Sequence, residues 1–394
     1  SMAIVAIAYD VRNSAAFESN KNNYPNATAT ATATATTNST TNEALQFQRY
    51  DKVVIATKIH GKIQMGQLAQ SMCLFHFAYN HQVHYDIVVF TTLDDIPKAS
   101  MASIRELITP ATITFVVDNR GLQEEIAALT PAKYDLFLER CNVTDPRTLT
   151  WESTTCGGGS TLGYNWQAEF RSVHIWEHPA LAQYQYMLWL DSDGFPTREW
   201  EKDPLEYFIE HKAVIMFDHF PQGRVQKLAP KLLEGFNTTV CNLTRFLHPT
   251  EGHLQGTVID PNEYEIILNK KHPRLKSHHC NNIALIHGFM HITDLDFYRQ
   301  PKVRHGLTTL WGQCFLCRSP DDQAAVTIPA AIYAPHKSWD LRSKGFELRI
   351  FHNFHMDGSA VKLKPPGFKK HWSQIAAQGF PTAHKYCRIT EAGR

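Results

Sequence analysis

From Asp51 onward, short apolar runs alternate with helical patterns: KVVIATKI (52–59), GQLAQSMCLFHFAYN (66–80), YDIVVFTT (85–92), a helix near 97–107, and TITFVVD (112–118). A brief β-rich run with no polar alternation is buried on both faces, and a helix between two such runs is the crossover that parallel strands require. The chain is therefore expected to be α/β, with a mostly parallel central sheet flanked by helices. Its 394 residues, 43% of them hydrophobic, are enough for one large domain or two smaller ones. No GxGxxG follows the first strand and no GxxxxGK[ST] occurs, which argues against a dinucleotide fold and a P-loop.

Ahead of this region, the Ala/Thr/Asn run NATATATATATTNSTTN cannot bury enough apolar surface to offset its ordering entropy. We read residues 1–48 as a disordered stem, 49–360 as the folded domain, and 361–394 as a Lys- and Pro-containing extension that Cys387 could tether. Eight cysteines and Asn-x-Ser/Thr sequons at Asn26, Asn38, Asn142, Asn237 and Asn242 favour a secretory compartment. No stretch reaches the ~20 apolar residues of a membrane span. The opening SMAIVAIAYD is too short for a signal peptide, Ser1-Met2 reads as a cloning remnant, and any membrane anchor is expected outside this sequence. Lys plus Arg (39) nearly cancel Asp plus Glu (38), so nucleic acid is not an expected partner.

The strand-like YQYMLWL (184–190) runs straight into Asp191-Ser192-Asp193-Gly194. Ligands of open α/β sheets sit outside the carboxyl ends of strands, where these acids fall. Two carboxylates at i and i+2 can aim oxygens at one point, as a hard cation holding a diphosphate requires. The same residues fit the opening of an aspartyl-phosphate phosphatase, with Asp191 as nucleophile. Against that reading, about 140 residues of α/β pattern precede the motif, whereas the phosphatase motif stands on the first strand of its domain.

Further helical patterns lie at 163–181, 203–211, 226–236 and 320–332, the last expected to stop at its proline; strands are expected at 213–220, after 287, and in FELRIFHNFHMDG (346–358). Cys314-Phe315-Leu316-Cys317 reads as disulfide-forming, and Cys156-Gly157-Gly158-Gly159-Ser160 as a mobile loop beside the site. Lys58 and Arg171 are candidates to touch a diphosphate or a base, or else surface charges.

The stretch YNWQAEFRSVHIWEHPALAQYQYMLWLDSDGFPTREWEKDPLEYFIE (164–210) resembles the core of the fungal Golgi α-1,2-mannosyltransferases, the family-15 glycosyltransferases, at Tyr164, Phe170, Ser172, His178-Pro179, Tyr184, Tyr186, Asp193 and Asp203. A second block, HITDLDFYR (291–299), is similar to the family's segment around its proposed nucleophile. The resemblance spans roughly 52–356, with close detail only in these two blocks. It implies a GT-A-like nucleotide-diphospho-sugar transferase fold and a retaining, metal-dependent hexosyltransferase. The donor would be GDP-mannose first and a UDP-hexose second, the acceptor a glycan or glycoprotein, and the cation Mn²⁺ or Mg²⁺. It also implies a Golgi lumenal location and a type II membrane protein.

On that footing Asp191, Ser192, Asp193, Tyr164, Arg171 and Lys58 would contact the donor, and Asp191, Asp193 and His352 would bind the metal, with His355 as alternate. Where the family has glutamate this chain has His291, which cannot supply the same negative charge; Asp294 and Asp296 are the nearby substitutes, and His291, Asp294 and Asp322 are the catalytic candidates for proton handling. Asp322, in Pro320-Asp321-Asp322-Gln323, resembles the Asp-Gln element of other GT-A enzymes and is a candidate base or positioning group; the alternative is an ordinary helix cap from Ser319 or Asp321. A glycan-binding protein without catalysis is the third reading, kept open by the missing glutamate.

Overall fold

The computed structural model describes residues 47–59, 64–92, 98–156, 160–218, 222–224, 229–238, 282–284, 286, 288–311, 322–352, 355–356 and 387. The Ala/Thr/Asn run, the sequons at Asn26, Asn38 and Asn242, glycines 157–159, Cys314, Cys317, Ser319, Asp321 and most of 361–394 lie outside the described residues.

Seven strands form one sheet: β1 (Val53–Ile59), β2 (Asp86–Thr91), β3 (Ile113–Val117), β4 (Tyr186–Leu190), β6 (Ile215–Phe217), β7 (Met290–Asp294) and β8 (Ser338–Asp340). Their order is β8-β6-β7-β4-β1-β2-β3. All neighbours pair in parallel except at β7, which runs antiparallel to both β4 and β6. A two-residue strand, β5 (Phe195–Pro196), leaves the end of β4 and pairs with β9 (Ile350–His352).

Side chains alternate across the sheet, and helices cover both faces. On one face Ile55, Leu188, Leu190 and Ile292 pack with α1 (Gln64–Phe75), α2 (Lys98–Leu107) and α4 (Pro204–Glu210). On the other, Val54, Ala56, Met187 and Trp189 pack with α3 (Leu162–Glu169), α5 (Pro301–Trp311) and α6 (Asp322–Tyr333). Fully burying each such side chain contributes on the order of 2 kcal/mol. Among the described residues no helix is long and apolar enough to cross a membrane.

Some expected boundaries shift. The helical pattern of 163–181 is an α-helix only to Glu169; it continues as a π-turn (Phe170–His174) and two short 3-10 turns. Helix α6 runs through Pro329 to Tyr333, four residues past the expected stop, because its small residues Ala324, Ala325, Ala330 and Ala331 are buried against the sheet and tertiary packing outweighs one lost backbone bond. The strand expected over 213–220 is confined to Ile215–Phe217.

Two features make the fold sensitive to conditions. Cys73 of α1 is disulfide-bonded to Cys387, 314 positions away, which fixes residue 387 against the core. Closing so long a loop restricts the unfolded chain, and replacing both cysteines by serine should cost ~2–5 kcal/mol of stability, read as a lower urea midpoint under non-reducing conditions. Matching midpoints would contradict this.

His76, at the start of the π-turn that follows α1, lies near His81 and His84. Burial, helped by those two imidazoles, pushes its pKa down to about 4. The folded state thus refuses a proton that the unfolded chain takes up near pH 6.5, so this contribution is intact above that pH and is lost as pH falls toward 4. The stability difference between wild type and His76→Gln should shrink by ~1–2 kcal/mol from pH 7 to pH 4, the partly exposed ring limiting the effect. A pH-independent difference would overturn the assignment.

Candidate active site

Strand β4 ends the buried run Met187-Leu188-Trp189-Leu190 at the carboxyl edge of the sheet, between β7 and β1. The chain turns there: the Asp191 amide donates to Phe289 O (2.7 Å), and the Gly194 amide to Asp191 O (2.8 Å). Glycine at 194 keeps the turn tight: a Cβ there would stand 2.7 Å from Leu190 Cδ1 and 3.1 Å from Asp191 O, so those atoms would have to shift. Helix α1 secures the same turn, Ser71 Oγ donating to Gly194 O at 2.6 Å.

The turn delivers the chain into β5, whose Phe195 and Pro196 pair with Phe351 and Ile350. That antiparallel register sets residue 352 beside the Asp-x-Asp turn. His352 Nε2 lies 3.3 Å from Asp193 Oδ1 and 3.6 Å from Asp191 Oδ2, and its ring stacks on Phe289 at 4.6 Å. Asp191, Asp193 and His352 are the one group of acids and imidazoles among the described residues whose ligand atoms could share a cation, all within 4.8 Å of one another. Two carboxylate oxygens and one imidazole nitrogen suit Mn²⁺ or Mg²⁺ by donor type, with room left for ligand oxygens. His355, the alternate, pairs with His352 in the adjoining strand Ile350–His352 to His355–Met356.

The two oxygens of Asp191 have different surroundings. Strand periodicity places Trp189 and Asp191 on one face, and Trp189 Nε1 donates to Asp191 Oδ1 at 2.7 Å. Arg171 Nη1 lies 3.3 Å from the same oxygen. Oδ2 is left toward His352. Burial pushes the Asp191 carboxyl above its usual range, opposed first by Arg171 and then by His352.

These groups line a cavity of about 220 Å³. Tyr164, Gln167, Ala168 and Arg171, at helical spacings of three and four, present one face of α3 and its π-turn to it. Tyr164 is half-exposed at the rim, while Ser192 is buried in the turn. Asp322 and Gln323, at the start of α6, form a further wall with Gly288 and Phe289. Trp189, Gly288, Phe289, Gln167 and Gln323 were not among the expected site residues. Two of them carried a legible signal: Trp189 through its two-residue offset from Asp191, and Gln323 as the second residue of the Asp-Gln element.

Three expected residues are placed elsewhere. His291 is 2% exposed within β7, in register with Trp189 on one side and Phe217 on the other, and does not line the cavity. Burial, reinforced by Arg171, holds its pKa well below the usual value, and its place between two strands sets it apart from the cavity wall. Asp294 faces Tyr186 at the opposite end of β4, four residues or about 13 Å along the strand from the Met290–Leu190 pair. Its side chain accepts from the Asp296 amide (3.0 Å) and caps the turn Leu295–Tyr298, which accounts for an acid there. Lys58 is enclosed in β1, ion-paired with Asp118 beneath the Phe170 ring, and does not line the cavity; Trp166 Nε1 donates to the same Asp118 at 2.9 Å.

The arrangement is a GT-A fold carrying an Asp-x-Asp turn and a histidine from a late strand. The structure superposes on core-mannan synthase A (CmsA/Ktr4) from Aspergillus fumigatus in its Mn/GDP form. There the TM-score is 0.56 and the identity 14%, covering 80% of this chain and 78% of that one. It also superposes on the mannosyltransferase Ktr4p from S. cerevisiae, with TM-score 0.53 and 13% identity over 82% of this chain and 81% of that one. The GDP complex of Ktr4p gives a TM-score of 0.51 at 14% identity, covering 86% and 82%. No protein-family model and no curated protein sequence matches the chain. At such identities the likeness is one of fold.

The ligand set makes a direct prediction. Asp193→Ala and His352→Ala should each weaken Mn²⁺ binding by about tenfold or more in isothermal titration, with thermal unfolding little changed for the more exposed Asp193 and lowered for His352, whose buried ring stacks on Phe289. Unaltered Mn²⁺ affinity in both variants would remove them from the metal site.

Proposed function

We propose that this chain is a metal-dependent glycosyltransferase that moves a hexose, mannose from GDP-mannose being the first choice, from a nucleotide diphosphate sugar to a glycan acceptor. The observation that carries the reading is the convergence of Asp191, Asp193 and His352 at the carboxyl end of a central strand in a GT-A fold. The Mn/GDP form of CmsA/Ktr4 and the GDP complex of Ktr4p support manganese and a guanine nucleotide as first candidates. The phosphatase alternative is not favoured, because Asp191 ends β4 and three parallel strands of the same sheet precede it.

The cation, when bound, supplies charge neutralisation for the departing diphosphate. The protein's part is preorganisation. Trp189 and Arg171 hold one oxygen of Asp191 and leave the other toward His352. Tyr164, at the rim, offers a ring face and a hydroxyl to the nucleotide. Among the described residues, Asp322 is the carboxylate that lines the cavity outside the metal trio. It is our candidate to orient the sugar, stabilise positive charge at the reacting carbon, or take the acceptor proton in a retaining transfer. The sequons at Asn142 and Asn237, both on exposed residues, are consistent with a Golgi lumenal enzyme.

The reading predicts that GDP raises the thermal midpoint of the full chain only with Mn²⁺, and that GDP-mannose is slowly hydrolysed under the same conditions. UDP in place of GDP would change the donor assignment. No metal-dependent nucleotide effect, or phosphate release inhibited by trifluoroberyllate, would overturn it.

A further inference from the structure

Arg171 is the most heavily engaged side chain of the cavity. Its Nη1 lies 2.6 Å from Asp322 Oδ2 and 3.3 Å from Asp191 Oδ1, its Nη2 donates to Gly288 O, and its guanidinium lies 4.4 Å from the Trp189 ring centroid. Its side chain is only 9% exposed. The surroundings are built to admit it, since a Cβ at Gly288 would stand 2.9 Å from Nη2. One nitrogen therefore serves two carboxylates with different tasks: Asp191 belongs to the metal trio, and Asp322 lies on the opposite wall.

We propose that Arg171 is a positioning residue that divides one positive charge between the metal-binding carboxylate of Asp191 and the sugar-side carboxylate of Asp322, coupling what Asp322 binds to the grip on the cation. The inference rests on the glycosyltransferase reading. The planar guanidinium matters because Gly288 O holds Nη2, which fixes the direction in which Nη1 faces the two carboxylates; a freely rotating ammonium on a flexible stem has no such second anchor. The shorter contact is to Asp322, so Asp322 draws the charge away from Asp191 and leaves it open to a cation. When Asp322 is neutralised, the guanidinium has only Asp191 as an ionic partner and competes with the metal there. A sugar hydroxyl donating to Asp322 draws on the same shared charge.

The test is a double-mutant cycle on the full chain, using Mn²⁺ alone as the probe in isothermal titration: wild type, Arg171→Gln, Asp322→Asn and the double variant. Asp322→Asn removes a negative charge near the cation in either background, so a loss of affinity by itself proves nothing. The proposal predicts a loss about tenfold larger with Arg171 present than with glutamine at 171. Equal losses in the two backgrounds would overturn it, since the field of Asp322 would then act directly. If the Arg171→Gln chain does not fold, the cycle is run with Arg171→Lys, which keeps the charge without the fork; the coupling should then fall at least about threefold, and undiminished coupling would overturn the role of the fork. A wild type that binds neither Mn²⁺ nor GDP would sink the glycosyltransferase reading and this inference together; normal wild-type binding with no coupling would sink this inference alone.

Discussion

Two carboxylates brought together at a partly enclosed strand end repel each other and lose hydration, and the neighbourhood of Asp191 and Asp193 is arranged around that cost. Part of the compensation is internal: the Trp189 indole and the Arg171 guanidinium both address Asp191 Oδ1. Asp191, Asp193 and His352 also bring their ligand atoms within 4.8 Å of one another, a spacing and a donor set that suit a divalent ion. The fold serves this arrangement through the β5–β9 pairing, which joins residues more than 150 positions apart in sequence.

The same electrostatics separates the acids of the site into roles. Asp322 shares a guanidinium with Asp191 yet stands outside the metal trio, while His291, where the resemblance places a negative charge, is buried within β7. A negative group at 291 would sit beneath Trp189 with helices covering it, far from water. The cavity's available anionic character thus comes from loop and helix-start residues, which reach the ligand space, and not from the mid-strand position.

Much of this was legible in the sequence. Alternating apolar runs gave the mostly parallel sheet, and the apolar Met187–Leu190 run followed by Asp-x-Asp-Gly gave the strand end; the late histidine of IFHNFH came only from the family resemblance, since no spacing in the chain ties residue 352 to residue 191. The failures have a common cause. Both faces of the sheet are covered by helices, so hydrophobic alternation does not say which end or face of a strand meets the ligand. Lys58 and His291 were assigned to the site although strand pairing encloses them, and Asp294 although the antiparallel direction of β7 carries it to the far end of β4. Arg171 was expected to touch the diphosphate or the base, but its Nη1 lies between Asp191 and Asp322 while Nη2 is held by Gly288 O, 117 positions away in sequence.

The central claim is that one cation is held jointly by Asp191, Asp193 and His352. Its most direct test is a crystal of this chain grown with Mn²⁺ and GDP, with anomalous diffraction collected at the manganese edge. The account predicts a single strong peak within coordination distance of all three side chains and beside the nucleotide's diphosphate. A peak elsewhere, or nucleotide bound in the cavity with no anomalous signal at these residues, would contradict it.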